Sequence, residues 1–223
     1  MSYTIGILGG GQLARMSALA AYRLGFKINI LEKEKNSPAG QITSNEFVGW
    51  VDDKKLLKKF IDSSDIITLE NEFIDSEHLS WIENQNKKVV PSAKTISLIQ
   101  DKLIQKQTFK KSNLPVPEFI EVKANSTYNE LNKIFGNKFL LKSRKLGYDG
   151  YGNATINNEF DFSNAIKKLT NRHYDLMAEE FIDFKKELAI MVVRTKKEIK
   201  TYPVVETIQK NHICHLVIAP ANS

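Results

Sequence analysis

Two prolines in three positions, within Asn113-Leu-Pro-Val-Pro117, constrain the fold of this chain more than any other feature. Each proline fixes its own φ, lacks an N–H and drives the residue before it out of the helical region, so no helix continues through the stretch. The sequence reads differently on its two sides. Before it, short apolar runs alternate with helical spacing; after it, strands predominate. A chain of 223 residues can hold one large domain or two small ones. The break ends an expected first domain at 1–112.

Tyr3 to Leu8 is an apolar strand that Gly9-Gly10-Gly11 turns into a helix. That helix carries Leu13, Met16, Ala20 and Leu24 at spacings of three and four and ends at Gly25. Phe26 to Leu31 is a second strand, ending in Glu32. The opening resembles the first half of a dinucleotide-binding fold, with glycines after a strand and an acid about twenty residues on. Physically it aims backbone amides and a helix N-terminus at an anion, and a sugar phosphate satisfies them as well as a pyrophosphate. Phe47 to Val51 is a third strand, Asp52 or Asp53 caps a helix with Leu56, Leu57, Phe60 and Ile61 inward, and Ile66 to Leu69 is a fourth strand. Glu70-Asn71-Glu72-Phe73 follows. Its two carboxylates either stand at the ligand-binding edge of an open parallel sheet or begin the next helix, where the dipole favours acids. Lys88 to Val90 closes the sheet, Pro91 ends it, and Ser92 to Ser112 reads as two linked helices, the second with Leu103, Ile104 and Phe109 as its apolar side.

Beyond the prolines come a strand at Phe119 to Val122, a helix with a capping box from Thr127 to Glu130, and a strand at Phe139 to Lys142. Lys142 to Asn153 then reads K-S-R-K-L-G-Y-D-G-Y-G-N. A lysine at a strand end, followed by glycines whose amides can approach a ligand closely, fits a flap over a nucleoside triphosphate. The alternative is a hairpin turn built on Gly147, Gly150 and Gly152. A helix with Phe162, Ile166 and Leu169 follows, then a strand through Leu176 and Met177 into Glu179-Glu180-Phe181-Ile182. Glu187 to Val193, Lys200 to Val205 and His212 to Ile218 form an antiparallel sheet.

The formal charge of +6 raises nucleic acid as a partner. The cations argue against it, because they come as pairs such as Lys54-Lys55 and Lys167-Lys168 interleaved with acids, with no basic run and no aromatics alternating with cations. Anionic small molecules remain suitable ligands. No apolar run approaches the ~18 residues of a membrane helix, and a cytoplasmic protein is expected. Cys214, the single cysteine, excludes an internal disulfide and is expected as a small buried hydrophobe.

Taken together, the segments G-I-L-G-G-G-Q-L-A-R-M, T-L-E-N-E-F, D-K-x-x-x-K-Q, L-K-S-R-K-L-G-Y-D-G-Y-G, E-E-F-I-D-F-K-K-E-L and T-Y-P-V-V-E resemble the ATP-grasp superfamily, and within it the 5-(carboxyamino)imidazole ribonucleotide synthases of purine biosynthesis. The resemblance runs through all 223 residues in order. It implies an α/β fold: a Rossmann-like parallel sheet as pre-ATP-grasp domain with linker helices, then an α+β ATP-grasp region. Of that region, 113–182 would be the small lid subdomain and 183–223 the start of the large one, incomplete at its C-terminal side. The implied activity is a ligase reaction in which ATP and bicarbonate form carboxyphosphate and the carboxyl group passes to the exocyclic amine of 5-aminoimidazole ribonucleotide. A non-catalytic nucleotide-binding fragment, another ATP-grasp ligase and a nicotinamide-dependent oxidoreductase built on Gly9 to Glu32 are the alternatives.

The same resemblance implies residue roles. Lys102 and Lys142 would contact ATP phosphates, and Gly147, Tyr148, Asp149, Gly150, Tyr151, Gly152 and Asn153 would form the flap. Glu179, Phe181 and Ile182 would line the adenine, with Glu180 beside them, and Glu187 would hold the ribose hydroxyls. Gly11, Gln12, Leu13 and Glu72 would hold the ribonucleotide, helped by Tyr148 and Asp149, which with Lys142 would be the catalytic groups. The chain departs from the family pattern at Tyr151, where relatives carry Arg or Lys, and at Gln209, where a histidine is expected; Gln209 still donates a hydrogen bond but does not titrate. The family's distal segment, with its magnesium ligands and part of its phosphate site, has no counterpart in 1–223. ATP and magnesium are therefore the expected cofactors, no metal ligand is assigned within the chain, and little turnover is expected of it alone. Relatives are typically homodimers.

Overall fold

The computed structural model describes residues 3–43, 45–147, 152–170, 175–210 and 213–222. The chain divides into two compact units, Met1–Gln105 and Lys106–Ser223. The division falls earlier than the two prolines, inside the helix Lys102–Lys111.

Five strands build the first unit: β1 (Thr4–Leu8), β2 (Lys27–Glu32), β3 (Asn45–Val48), β4 (Ile66–Leu69) and β5 (Lys88–Val89). They form one parallel sheet in the order β3-β2-β1-β4-β5. The strands are apolar on both sides because helices cover both faces. Helix α1 (Gln12–Arg23) closes one face with Ala14 and Ala18 against Ile7, Ile28 and Ile30. Helices α2 (Lys54–Asp62) and α3 (Ser76–Asn84) close the other with Leu57, Phe60, Ile61, Leu79 and Ile82. The chain leaves β1 to one side for β2 and to the other for β4, and this reversal opens a crevice beyond the strand ends.

Several expectations change here. Leu13, Met16 and Leu24 are 56%, 59% and 75% exposed, and Ala20 is exposed too. The packed face of α1 is its small one: Ala14 and Ala18, four apart, stand on one side of the helix and let it lie close to the sheet. The third strand is Asn45–Val48, ending before Gly49, whose φ of +144° turns the chain. Asp53 caps α2, accepting from the Lys55 and Leu56 amides at 3.0 Å. Asp75 caps α3, so Glu70 and Glu72 precede that helix and do not begin it. Helices α4 (Ala93–Ile99) and α5 (Lys102–Lys111) are the expected linked pair.

In the second unit β6 (Phe119–Val122), β7 (Phe139–Ser143), β8 (Asn153–Ile156) and β9 (Leu176–Glu180) form an antiparallel sheet in the order β6-β9-β7-β8. Helices α6 (Tyr128–Phe135) and α7 (Glu159–Thr170) cover one face through Leu131, Phe162, Ala165 and Leu169, which pack on Phe139, Leu141, Leu176 and Ala178. The capping box of Thr127 and Glu130 is formed. Strand β8 was expected only under the hairpin alternative for Gly147, Gly150 and Gly152, since the four residues Asn153–Ile156 carry little strand signal of their own. Its pairing with β7, Lys142 opposite Asn153, makes the glycine-rich stretch the connection of a hairpin. A Cβ on Gly152 would lie 2.5 Å from Gly147 Cα, so the bare glycine lets the two ends of that connection approach.

The segment expected as one strand over Glu187 to Val193 is two, β10 (Glu187–Ala189) and β11 (Val192–Arg194). Strand β11 pairs with β12 (Ile199–Thr201); β10 joins β13 (Val205–Lys210) and β14 (Ile213–Ile218) in a separate antiparallel sheet. Leu188, Met191, Val192, Ile213 and Leu216 are all about half exposed or more. Cys214 is exposed as well, contrary to expectation, because nothing described covers this face. Among the described residues no helix is long and apolar enough to cross a membrane.

Candidate functional site

Alternation along β7 separates its residues: Phe139 and Leu141 enter the core, while Leu140 and Lys142 take the opposite face. On β9, Glu179 lies on that same face, diagonal to Lys142 through the pairs Leu140–Glu179 and Lys142–Met177. The Lys142 ammonium meets Glu179 Oε2 at 3.2 Å, and Lys106, from α5, meets Oε1 at 3.1 Å. Glu179 is 5% exposed, so these ammonium groups offset the charge of a buried carboxylate. One carboxylate between two ammonium groups leaves the cluster with one positive charge in excess.

The cluster borders a cavity of about 430 Å³ lined by Leu140, Lys142, Asn153, Thr155, Phe181, Phe184, Glu187 and Gln209. Phe181 and Phe184 give it aromatic walls, and the Lys138 ammonium sits 3.6 Å from the Phe181 ring centroid. Thr207 Oγ1 and Gln209 Nε2 both donate to Glu187 Oε1 at 2.6 Å, fixing that carboxylate from strand β13. Gln209 makes the hydrogen bond that its amide allows. Asn153 Oδ1 is buried with no hydrogen-bond partner among the described residues, an acceptor at the cavity wall.

Five of the residues read from the sequence thus line one cavity: Lys142, Asn153, Phe181, Glu187 and Gln209. Glu179 joins them through Lys142. Glu180 does not: its carboxylate accepts from the Glu118 amide at 3.2 Å, off the sheet edge. Ile182 is 42% exposed and outside the lining. Lys102 begins α5, in the first unit. Tyr148, Asp149, Gly150 and Tyr151 lie outside the described residues. Lys106, Phe184 and Thr207 were missed. The spacing D-K-x-x-x-K places Lys106 one helical turn beyond Lys102, and that was the available signal.

In the first unit the expected anion loop looks different. Gly9 N–H donates to the Leu31 carbonyl at 3.0 Å, Gly10 N–H to Glu32 Oε2 at 2.7 Å, and Gly11 N–H to Glu70 Oε2 at 2.9 Å. The three glycine amides are therefore taken within the chain, two of them by carboxylates. Gln12 and Leu13, the first two residues of α1, receive no side-chain cap. Glu72 is exposed, and its carbonyl accepts from Gln100 at 2.6 Å. Beside the loop, Glu46 is pulled two ways. Burial pushes its carboxyl up, but hydrogen bonds from the Asn36 and Ser37 amides and the Ser37 hydroxyl, with the Lys35 charge, bring it below the usual range.

Residues 107–223 match the ATP-grasp domain and residues 1–100 the ribonucleotide synthetase preATP-grasp domain. The chain belongs to the ATP-grasp family. Within it, N5-carboxyaminoimidazole ribonucleotide synthases are among the proteins the chain is similar to. It is 42% identical to a phosphoribosylaminoimidazole carboxylase of Saccharomyces cerevisiae, over 99% of this chain and 39% of that protein. To the N5-carboxyaminoimidazole ribonucleotide synthase of Synechococcus elongatus it is 36% identical, over 97% of this chain and 55% of the other. The crystal structure of the Aspergillus clavatus N5-carboxyaminoimidazole synthase in complex with ADP and 5-aminoimidazole ribonucleotide superposes with a TM-score of 0.89 at 35% identity, over 99% of this chain and 57% of that one. The ATP-grasp chain described here thus spans roughly two fifths to three fifths of the length of these relatives. Magnesium is implied by the family. Among the described residues no three His, Cys, Asp or Glu side chains gather where they could hold a metal ion.

Proposed function

We propose that this chain carries the ATP site and part of the ribonucleotide site of a ligase that carboxylates 5-aminoimidazole ribonucleotide with bicarbonate, giving 5-(carboxyamino)imidazole ribonucleotide, ADP and phosphate. The observation that carries this reading is the excess positive charge of Lys106, Glu179 and Lys142 at the edge of an aromatic-walled cavity. Phosphate oxygens of ATP meet Lys142 and Lys106, whose charge offsets that of the transferring group. Phe181 and Phe184 hold the adenine between aromatic faces. Glu187, with Oε1 occupied by Thr207 and Gln209, offers Oε2 to a ribose hydroxyl. Tyr148 and Asp149, the remaining catalytic groups of the proposal, come from the flap together with Gly147, Gly150, Tyr151 and Gly152. Lys102 is assigned to the phosphates with Lys142, and Glu179, Glu180 and Ile182 to the adenine segment.

The ribonucleotide is assigned to Gly11, Gln12, Leu13 and Glu72 in the first unit. Magnesium belongs to the proposal only as the charge partner of the phosphates, and no step is assigned to it. A homodimer in the cytoplasm completes the reading; the exposed Leu13, Met16 and Leu24 of α1 supply an apolar surface for a second copy, and an exposed free thiol suits a reducing compartment. Thermal shift tests the assignment. ATP and 5-aminoimidazole ribonucleotide are each expected to raise the melting temperature and NAD to leave it unchanged; stabilisation by NAD alone overturns the reading in favour of an oxidoreductase.

A further inference from the structure

We propose that Glu32 and Glu70 are specificity-determining residues that occupy the anion seat of the Gly9–Gly11 loop, so that the loop refuses a pyrophosphate and leaves only the start of α1 for a single phosphate. A glycine loop after the first strand of a parallel sheet ordinarily offers its amides to the bridging phosphates of a dinucleotide. Here Glu32 ends β2 and Glu70 follows β4, the two strands flanking β1, and both carboxylates reach back to that loop. The glycines themselves are shaped to this approach. A Cβ on Gly9 would lie 2.6 Å from Glu70 Oε2, one on Gly11 would collide with Glu70 Oε1, and one on Gly10 would lie 2.9 Å from Glu32 Cβ. Gly9 also has φ +100°, a conformation that side chains disfavour. Gly9 and Gly11 are therefore bare where the Glu70 carboxylate enters, and Gly10 is bare against both Ser37 and Glu32.

Charge sharpens the effect. A pyrophosphate on the Gly10 and Gly11 amides must displace two carboxylates or lie against them, and like charges at that distance repel. The neighbouring cleft of about 280 Å³, lined by Gly10, Gly11, Glu32 and Glu34 together with Lys33 and Lys35, gives no net cationic pull to offset this. Gln12 and Leu13 of the proposed ribonucleotide site begin α1, which has no side-chain cap, and their amides are left for one phosphate group. This deepens the proposed ribonucleotide site and rests on it for the ligand class, a phosphomonoester.

The test is an amide-resolved NMR titration of the whole 223-residue chain, with inorganic pyrophosphate and ribose 5-phosphate as probes. In the wild type, pyrophosphate leaves the Gly10 and Gly11 amides unmoved. In the Glu32→Ala, Glu70→Ala double variant it titrates them about tenfold more tightly or better, the effect of one charge-assisted hydrogen bond. Equal titration of those amides in wild type and variant overturns the proposal. Should the double variant fail to fold, Glu70→Gln decides, since it keeps volume and acceptor but removes the charge. About threefold tighter pyrophosphate binding is expected, and an unchanged constant overturns the proposal. Ribose 5-phosphate reports separately: if it leaves Gln12 and Leu13 unmoved, the ribonucleotide assignment fails while the pyrophosphate arms still decide the role of the two carboxylates.

Discussion

The two places where this chain was expected to hold phosphate are built to opposite balances of charge. At Gly9–Gly11 two carboxylates fill a seat made of neutral amides, leaving the loop negative. At Lys142 one carboxylate is shared between two ammonium groups, leaving the cluster positive. Glycine content is similar in the two stretches and decides nothing. What separates them is the charge gathered there: carboxylates on the Gly10 and Gly11 amides in the first, and two ammonium groups on one carboxylate beside the start of the second, the balance that suits a further anion.

The largest expected difference between them is in stability. Glu179→Ala leaves two partly buried ammonium groups facing each other and should destabilise the second unit by roughly 3–5 kcal/mol. Glu70→Ala leaves one amide that water can reach and should cost the first unit about 1–2 kcal/mol. Trp50 and Trp81, the only two tryptophans, both lie in the first unit. Urea unfolding followed by tryptophan fluorescence should therefore report Glu70→Ala, whereas far-UV circular dichroism should show the larger shift of Glu179→Ala. Similar losses in both variants break the comparison.

Next in size is Lys106→Ala, which removes the excess charge while leaving the Lys142–Glu179 pair intact. ATP affinity should fall about tenfold; unaltered affinity would place the phosphates away from this cluster. Gln209→Ala should weaken ATP by about 1 kcal/mol, since Glu187 keeps Thr207 as a donor, and Gln209→His should restore binding only where the imidazole can donate.

The smallest effect belongs to Glu46. Its folded pKa lies below the ordinary value, so the native state favours the carboxylate. The resulting stability is present above the unfolded pKa of about 4.3 and is lost as pH falls through the lower folded value. Glu46→Gln should flatten the acid limb of a stability profile below about pH 4; an unaltered limb would show that the Asn36 and Ser37 amides do not select the charged form.

Much of this was legible in the chain. The order of strands and helices through Val89, the capping box at Thr127 and Lys142 at its strand end follow from local pattern, because spacing, caps and strand ends are local properties, while the cavity residues Phe181, Glu187 and Gln209 came from the family resemblance. Two of the errors originate in contacts between distant residues. Glu70 reaches Gly11 across 59 positions, and Lys106 reaches Glu179 from another element, so neither partner marks the other in sequence. Helix α1 misled for a different reason: size favoured Leu13, Met16 and Leu24 as its buried side, whereas close packing on a sheet selects Ala14 and Ala18. Strand β8 was hidden because its pairing with β7, not its composition, makes it a strand.

The positive cluster at Lys142 is the centre of the account, and calorimetric titration of ATP into the wild type and Lys142→Ala tests it most directly. Loss of a charge-assisted contact should weaken binding by roughly 1.5–3 kcal/mol, about a tenfold to hundredfold rise in Kd, with the fold retained. An ATP affinity in Lys142→Ala equal to that of the wild type would contradict it.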